Sequence, residues 1–526
     1  MSRRLLVADR VRDASGVQGD AILIEGTRIV AVGRAADFAQ AGLPEDRHPG
    51  TTIVPGLRDA HLHPVGYAAA LERPSLKDAG DFAGIVEIVA AAAAAQPPDT
   101  AVTALRLDDE ALAEGRLPDR DLLDRVMPDR PVLLVRYCGH VSVANSAALA
   151  IAGIDERTLD PPGGSMDRDA AGRLTGVLRE TAGDPVSSAI RALAPPITTD
   201  QVVEAATALA AVGLTGVGAM ASTDAGCWAG AGSELDALID AAPRIPITMG
   251  VMVIADNAAD LERAAERLAS AGGRMRFISV KIFSDGSLGG HTAAMHQGYA
   301  DLPGQRGIDR LDPAWAADLA RASLRLGGRV AIHAIGDRAN TGVLDLMERL
   351  IREGADPAML RIEHASVLIE ADIGRFARLG VTASVQPAFM ASETGWLEKR
   401  VGPERLERTY PFRSLADLRV PLAGGSDSPV EPPHPLPNMA AARDRCGIVP
   451  AQGLTAAEAL ALFTDGSAAA IGEEAALRPG APASFTILGN DPVVATPDEL
   501  RRAEVLGTWV LGAPIAIPAG VTTWQG

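Results

Sequence analysis

The apolar residues of the chain follow two different patterns. Near both ends, short runs of branched apolar residues alternate with turns. These runs are Leu5–Val7, Ala21–Ile24, Ile29–Val32 and Thr52–Val54 at the beginning, and Ser484–Leu488 and Val505–Leu511 at the end. Small isolated β-ribbons are marginally stable in water. The pattern therefore predicts that the two ends of the chain pair with each other in one β-domain.

The middle of the chain carries longer apolar runs that alternate with helical segments. The runs are Phe277–Phe283, Arg329–Ile335, Leu360–His364, Val381–Gln386 and Val420–Ala423, and helical segments such as Pro313–Leu326, Thr341–Glu353 and Glu370–Leu379 lie between them. Nearly continuous apolar runs are typical of strands that are covered on both faces. Because strands that alternate with helices form parallel sheets, the fold class is predicted to be α/β.

Two histidines stand just after the fourth of the early runs. His61 and His63 follow Thr52–Val54 and a Pro-Gly turn. The two-residue period of a strand points both side chains to the same face. Two imidazoles at this spacing suit a metal ion, although an isolated pair of this kind is more often structural.

Three further positions extend this pattern along the chain. His333 and His364 end two of the long runs, and Asp427 follows the last one. Taken singly, such residues are more often a core histidine or a helix-capping aspartate. Lys281 differs because it lies inside an apolar strand, where a lysine is costly to bury unless it is paired or chemically altered. Glu363 precedes His364 on its strand, so we expect it to point away from that histidine in a structural role.

The parallel sheet could be open or closed, and the spacing of these positions agrees with a (β/α)8 barrel, in which the carboxyl ends of the strands converge on one site. His333 and His364 are 31 residues apart, and His364 and Asp427 are 63 apart, which corresponds to one and two β/α units of ~35–40 residues. His63 and Lys281 are 218 residues apart, more than three units require. The excess predicts an insertion after the first barrel strand.

Composition narrows the possible partners and the compartment. Lys and Arg total 49 against 67 for Asp and Glu, so the net charge is −18. Such a surface repels phosphate backbones and anionic lipids, so we expect no nucleic-acid or membrane partner. Three well-separated cysteines cannot form a disulfide framework, and no signal peptide or membrane span is recognisable. These features predict a cytoplasmic protein.

Eight segments of the chain carry a resemblance to a known family. They are VPGLRDAHLHP (54–64), RYCGHVSVANSAAL (136–149), VKIFSDGSLGGHTA (280–293), AIHAIGDRAN (331–340), RIEHA (361–365), ASVQP (383–387), TYPFRSLAD (409–417) and GSDSPVEPP (425–433). In kind and order they resemble the metal-dependent amidohydrolase superfamily, and within it the amidohydrolase 3 (YtcJ-like) family. The resemblance implies a (β/α)8 TIM barrel over residues 56–470, with the insertion at about 66–185. A β-sandwich formed by residues 1–55 and 471–526 would flank the barrel.

The resemblance also implies a binuclear metal centre. The expected ligands are His61, His63 and Asp427 for one divalent ion, His333 and His364 for the other, and Lys281 as a bridging N-carboxylated lysine. Burial lowers the pKa of a lysine, and the neutral amine adds carbon dioxide to form a carbamate, an anionic oxygen ligand. Two Zn²⁺ ions are expected for a His-rich site, with Fe, Mn or Ni as alternatives. Asp427 would also be the catalytic proton carrier.

The activity implied by the resemblance is hydrolysis of a C–N bond in an amide, an N-formyl or N-acyl amine, a cyclic amide or a carbamate, by a metal-activated hydroxide. His140 and His291 are predicted to contact the small-molecule substrate, and a homodimer is the family expectation. The alternatives are a deaminase of a heterocycle or amidine, a non-hydrolytic isomerase or lyase, and a non-catalytic metal-binding barrel. Lys281 counts against the deaminase, because deaminases on this scaffold usually lack a bridging lysine.

Overall fold

A computed structural model describes residues 3–38, 43–109, 111–136, 141–161, 164–194, 196–224, 232–521 and 523. The strands are β1 (Arg3–Asp13), β2 (Gly16–Glu25), β3 (Arg28–Gly33), β4 (Glu45–Pro55), β5 (Leu57–Leu62), β6 (Val102–Leu107), β7 (Val132–Arg136), β8 (Val141–Ala144), β9 (Gly164–Arg168), β10 (Leu174–Glu180), β11 (Leu214–Ser222), β12 (Thr248–Ile254), β13 (Met275–Phe283), β14 (Arg329–Ala334), β15 (Leu360–His364), β16 (Thr382–Val385), β17 (Leu422–Gly424), β18 (Phe485–Leu488), β19 (Val505–Val510) and β20 (Ala513–Pro514). They are distributed over three sheets.

The helices connect and cover these strands. They are α1 (Ala35–Phe38), α2 (Pro64–Leu71), α3 (Phe82–Ala95), α4 (Arg120–Val126), α5 (Ser146–Ile151), α6 (Asp184–Leu193), α7 (Thr199–Ala211), α8 (Glu234–Ala241), α9 (Ala258–Ala271), α10 (Pro313–Arg325), α11 (Asp337–Arg352), α12 (Glu370–Leu379), α13 (Phe389–Glu393), α14 (Leu397–Val401), α15 (Pro403–Leu406), α16 (Phe412–Asp417), α17 (Pro435–Asp444), α18 (Ala456–Ala461), α19 (Ser467–Ala470) and α20 (Pro497–Arg501). Within the described ranges, no helix has both the length and the apolar character needed to cross a membrane.

Eight parallel strands form a nearly closed barrel at the centre of the molecule. Their order is β5-β11-β12-β13-β14-β15-β16-β17, so the strands follow one another in sequence. Amphipathic helices such as α9, α11 and α12 bury their apolar sides on the outside of the barrel. The predicted α/β barrel is therefore confirmed, and its strands contain the apolar runs recognised in the sequence.

The loop after β17 joins the last barrel strand to the first. The backbone N–H of Asp427 donates to the carbonyl of His61 at 2.7 Å, and that of His63 donates to the carbonyl of Ser428 at 2.7 Å. The backbone N–H of Ser426 also donates to the Asp59 carboxylate at 3.0 Å. These bonds place the predicted ligands at the two ends of the barrel sequence next to each other.

The two ends of the chain form one seven-stranded sheet, as the sequence predicted. Its order is β20-β19-β18-β4-β1-β2-β3, and β4 pairs with strands from both ends. A buried ion pair between Arg12 and Asp491, 2.7 Å long, links the first strand to the C-terminal segment. β4 continues into β5 through Gly56, so a strand of this sheet leads directly into the barrel. The domain limits at 55 and 470 stay predictions.

The segment between α2 and α7 holds the insertion. Its five-stranded sheet has the order β6-β7-β8-β10-β9, and helices α3 to α6 pack against it. Two apolar clusters stabilise this unit, and they are separate from the barrel cluster. Its β6 is tied to the chain that leaves α2, because the N–H of Leu76 donates to the carbonyl of Leu105 at 2.8 Å. An insertion after the first barrel strand is therefore present, and its predicted limits, about 66–185, stay a prediction.

Candidate metal centre

Three predicted ligands converge at the carboxyl end of the barrel. One ligand atom each from His61, His364 and Asp427 lies within 4.8 Å of the others. Asp427 Oδ1 is 3.2 Å from His61 Nε2 and 3.3 Å from His63 Nε2, although His63 lies beyond the end of β5 at the start of α2. These four side chains, contributed by β5, the start of α2, β15 and the loop after β17, surround one small space.

Two carboxylates orient His61. Its Nδ1 lies 2.5 Å from Oε2 of Glu363, so that Nε2 faces Asp427. Glu363 also accepts from Arg361, and its side chain is fully buried. The backbone N–H of His61 donates to Asp59 at 2.9 Å. A carboxylate on the second ring nitrogen is the usual way in which proteins fix the orientation of a metal-binding histidine.

The structure refines the expected role of Glu363. The sequence correctly predicts a side chain that points away from His364 on the same strand. Because the barrel is nearly closed, the Glu363 side chain reaches His61 on β5, although β16 and β17 lie between β15 and β5 in the strand order. Glu363 is thus a positioning residue for a predicted ligand, a contact that strand periodicity alone does not reveal.

His364 is held in an unusual backbone conformation. Its φ is +74°, in the left-handed region that non-glycine residues rarely adopt. Its Nδ1 lies 2.8 Å from Oε1 of Gln386, and Phe389 stacks on its ring at a centroid distance of 6.0 Å. Strain of this kind persists where surrounding contacts over-determine the conformation, often in functional sites. Asp427, with φ of +58°, shows the same feature.

His333 lies on the far side of His364. Their ring centroids are 4.5 Å apart. The Nε2 atom of His333 is 3.0 Å from the carbonyl oxygen of Gly286 and 3.2 Å from Oδ1 of Asp285. The His333 ring therefore belongs to the same cluster, but its Nε2 atom contacts the loop that follows β13 rather than the other ligands.

Lys281 projects from β13 and is 2% exposed. Its Nζ has no hydrogen-bond partner among the described residues and lies 4.5 Å from the centroid of the Phe283 ring. Burial lowers the pKa of Lys281 to about 8, although the charges of Glu363 and Asp427 oppose this change. An amine with this pKa is partly neutral near pH 7.5, as carbamate formation requires.

The electrostatics of the cluster suit a cation. Despite its burial, Asp427 has its pKa held well below the usual range by His61, His63 and His364, so it is a carboxylate. Burial and the neighbouring His333 hold the pKa of His364 well below its usual value, so its imidazole is neutral. Burial and Lys281 act to lower the pKa of His61, but Asp427 and Glu363 raise it overall.

The donor set fits a divalent metal ion. Imidazole nitrogens and one carboxylate oxygen already converge. Glu363 holds the ring of His61, and Gln386 holds the ring of His364. The buried amine of Lys281 has no hydrogen-bond partner. If the amine were converted to a carbamate, its oxygens would have a bound cation as their partner. The residues present are therefore compatible with the metal centre that the sequence predicts.

His291, one of the two predicted substrate-binding histidines, is not part of this cluster. His291 Nε2 lies 3.1 Å from Oδ1 of Asp301, and its ring contacts Tyr299 edge-on at 4.9 Å. Asp301 is also bound by Arg400 at 2.9 Å. Contact of His291 with substrate stays a prediction. His140 lies outside the described residues.

A second group of polar side chains lies beside the cluster. Glu393 accepts a hydrogen bond from the Tyr410 hydroxyl at 2.8 Å, and Tyr410 contacts Phe389, which stacks on His364. Burial raises the pKa of Glu393 to about 8. Burial also raises the pKa of Glu431 to about 7, and the charge of Asp427 adds to this effect. The sequence offered one signal for Glu431, its place in the segment that holds Asp427.

Comparison with known proteins connects this geometry to a family. Residues 49–516 match the model of the amidohydrolase family. The chain is 32% identical over 480 residues to the YtcJ amidohydrolase of Bacillus subtilis (strain 168), and this alignment covers 88% of each chain. It is 30% identical over 529 residues to the N-substituted formamide deformylase of Arthrobacter pascens, and this alignment covers 96% of each chain.

A solved structure shows the same architecture. The chain is similar to an uncharacterised metal-dependent hydrolase from Pyrococcus furiosus, with a TM-score of 0.73 and 28% sequence identity. The similarity covers 93% of this chain and 100% of that one. It therefore includes the barrel, the insertion and the terminal sheet.

Proposed function

The chain belongs to the amidohydrolase family, whose relatives include metal-dependent hydrolases, and from this premise we propose that it hydrolyses the C–N bond of an amide. The observation that carries the proposal is the convergence of His61, His364 and Asp427 within 4.8 Å beside the buried, unpartnered amine of Lys281. A purely structural cluster gains nothing from an unpaired buried lysine, since burial of such a group costs free energy.

The proposed metal ligands follow the sequence prediction. His61, His63 and Asp427 would hold one ion, His333 and His364 the second, and a carbamate on Lys281 would bridge them. Zn²⁺ is the proposed metal, because imidazoles dominate the donor set. His333 would have to exchange its contact with Gly286 for the ion.

The side chains of the site divide the work of hydrolysis. A bound divalent cation supplies Lewis acidity and lowers the pKa of coordinated water towards neutrality. The Asp427 carboxylate is ionised and accepts the proton that the attacking water loses. It returns this proton to the leaving nitrogen, so that one amide and one water give one carboxylic acid and one amine. Glu363 and Gln386 hold His61 and His364 in position throughout.

We propose N-substituted formamides and short N-acyl amines as the substrate class. The Arthrobacter pascens relative is named for N-substituted formamides, and the alignment with it extends over 96% of this chain. Phe389, stacked on His364, covers one side of the site with an apolar ring. A small molecule is the expected partner, and dimerisation and a cytoplasmic location stay sequence-based predictions.

Metal analysis and an amidase assay together test the proposal. We expect the purified protein to bind transition metal and to release amine from N-substituted formamides. Asp427→Asn should lower kcat by roughly 100-fold or more, because the proton carrier is lost. Asp318→Asn is the matched control, since Asp318 is a highly exposed carboxylate on α10. Metal-free protein, or equal activity of both variants, would contradict the proposal.

A further inference from the structure

Arg106 is a cation of the insertion whose charge acts on Glu431, in the loop that carries Asp427. It lies in β6 between Leu105 and Leu107. Leu105 is bonded to the chain that leaves α2, through Leu76 N–H to Leu105 O at 2.8 Å and Leu105 N–H to Pro74 O at 2.9 Å. Since α2 begins directly after the predicted ligand His63, this part of the insertion has a short, hydrogen-bonded connection to the site.

The backbone of Arg106 is strained. Its φ is +67°, and the pairing of β6 with β7 shifts register between Ala104 and Leu107. The left-handed conformation is unfavourable for a residue with a side chain, because its Cβ comes too close to the neighbouring carbonyl oxygen. Bulges of this kind re-aim a side chain and are frequent next to active sites.

The charge of Arg106 acts on the same loop that carries Asp427. Its electrostatic neighbours are Glu431, Asp78 and Asp108, and Glu431 in turn interacts with Asp427. Glu431 follows Asp427 by four residues. Arg106 and the Asp427 loop thus border the same space. Arg106 borders it from the insertion, and the Asp427 loop borders it from the barrel.

The guanidinium of Arg106 is not satisfied by the protein. Its Nε is buried without a hydrogen-bond partner, and it forms no ion pair with a carboxylate in the described part of the chain. Other arginines of the insertion are paired, for example Arg136 with Asp109 at 2.6 Å and Arg173 with Asp121 at 2.6 Å. The Nε donor is therefore buried on a side chain that is only partly buried as a whole. A bound anion would give this donor the hydrogen-bond partner that it lacks.

We propose that Arg106 binds a carboxylate of the substrate, so that the enzyme prefers amides whose amine portion carries an anionic group. The inference rests on the proposed amide hydrolysis and adds to it the charge of the substrate. A guanidinium binds a carboxylate through two parallel hydrogen bonds, which orients as well as attracts it. The bound divalent cations would strengthen the attraction by offsetting the nearby acidic side chains.

Two matched substrate series test this proposal. One series consists of N-formyl ω-amino carboxylates with two to six carbons between nitrogen and carboxylate. The other consists of N-formyl alkylamines of the same length, which differ only in lacking the charge. With the zinc-loaded enzyme, we expect kcat/KM to favour the best carboxylate over its neutral partner by ~10-fold or more, mainly through a lower KM.

Three variants separate binding from folding. Arg106→Gln should remove the preference for the carboxylate series, and Arg106→Lys should keep part of it, because the charge remains while the bidentate geometry is lost. Arg173→Gln, an exposed arginine of the same insertion, should behave like the wild type. A wild-type enzyme without preference, or a loss in Arg106→Gln that affects both series equally, would overturn the proposal.

Isothermal titration separates failure of this inference from failure of the proposed function. Both series are titrated into zinc-loaded wild type and Arg106→Gln. Carboxylates that bind only to the wild type, without being hydrolysed, would support the role of Arg106 and contradict amide hydrolysis. Equal or absent binding of the carboxylates to both proteins would overturn the role of Arg106, whatever the activity. Stronger binding of amines bearing an extra ammonium group would assign recognition to Glu431 instead.

Discussion

A lysine in the wall of a barrel needs a chemical reason to be there. Lys281 is 2% exposed, its amine has no hydrogen-bond partner among the described residues, and three predicted ligands lie close by. Conversion to a carbamate would change an unpaired cation into an anionic ligand. Such a conversion needs the neutral amine, which the lowered pKa of Lys281 supplies.

We therefore expect Lys281→Ala to lower activity by roughly 100-fold or more and to reduce the bound metal. Acetate or propionate should restore part of the activity, because a short carboxylate fits the volume that the shortened side chain leaves. Activity and metal content measured with and without these acids check this. Lys399→Ala, an exposed lysine on α14, is the control. Full activity of Lys281→Ala without added acid would contradict the assigned role.

Glu393 makes the stability of the metal-free protein depend on pH. Burial raises the pKa of Glu393 from 4.5 to about 8, so between these values the folded state binds more protons than the unfolded state. The contribution of this group to the free energy of unfolding therefore decreases as pH rises from about 4.5 to 8. Glu393→Gln should make this decrease in the free energy of unfolding smaller. Glu398→Gln, at an exposed position of α14, should leave the decrease unchanged. Urea denaturation at pH 5.5, 6.5 and 7.5 measures this, and identical slopes for both variants would contradict it.

The proposed ligands could be picked out from the sequence more readily than the residues that support them. His61, His364 and Asp427 could be recognised because each stands at a strand end and the motif order is distinctive. Gln386 and Arg106 could not be recognised, because their roles depend on which strands become neighbours and on a bulge. These contacts depend on tertiary closure rather than on local pattern.

At the scale of elements, the closure of the barrel depends on close backbone approach. A side chain at Gly425 would place its Cβ 2.9 Å from the Cβ of His61 and 3.1 Å from the Asp59 carboxylate. Real Cβ atoms do not make such contacts, so only glycine allows the loop after β17 to lie against β5. The position of His61 is therefore set partly by a residue without a side chain.

Substitution of two glycines tests this interpretation. Gly425→Ala should lower the free energy of unfolding by about 1–3 kcal/mol and reduce activity, because His61 must move. Gly374→Ala, in α12, meets nothing within 4 Å and should be neutral or stabilising by about 0.5–1 kcal/mol. Thermal and urea unfolding with activity assays measure both. A fully active and stable Gly425→Ala would contradict the steric argument.

Some strands of the barrel could be predicted from the sequence, and others could not. β13 and β14 are rich in branched apolar residues, which strongly favour strands. β11, with the sequence LTGVGAMAS, is fully buried but contains alanine and glycine, which are poor strand formers. Its structure comes from packing between β5 and β12, which no local pattern reveals.

At the scale of the whole molecule, one continuous segment of chain joins the terminal sheet to the proposed metal centre. β4 pairs with β18 in the terminal sheet, with Thr486 opposite Val54, and continues through Gly56 into β5 with His61. The N–H of Leu57 also donates to Oγ1 of Thr486 at 3.2 Å. The terminal sheet therefore holds the strand that carries the first pair of ligands.

Hydrogen exchange should report this coupling. Zinc binding stabilises the state that binds it, so peptides from β18 should exchange more slowly in zinc-loaded protein. Peptides from β9 are the internal control, because that strand belongs to the separately packed insertion sheet. Equal protection of β9 and β18 on zinc addition, or no change in either, would contradict the coupling.

The hydrogen bond from Asp427 N–H to His61 O has a consequence for the biogenesis of the protein. His61 and Asp427 are separated by 366 residues, which a ribosome takes roughly 20–70 s to add at about 5–20 residues per second. During this time the early histidines are synthesised but have no carboxylate partner from the last barrel strand. The proposed centre therefore forms only after almost the whole barrel has left the ribosome. Metal delivery to the complete proposed site is thus a late step, and a chain that stops before residue 427 cannot assemble the site.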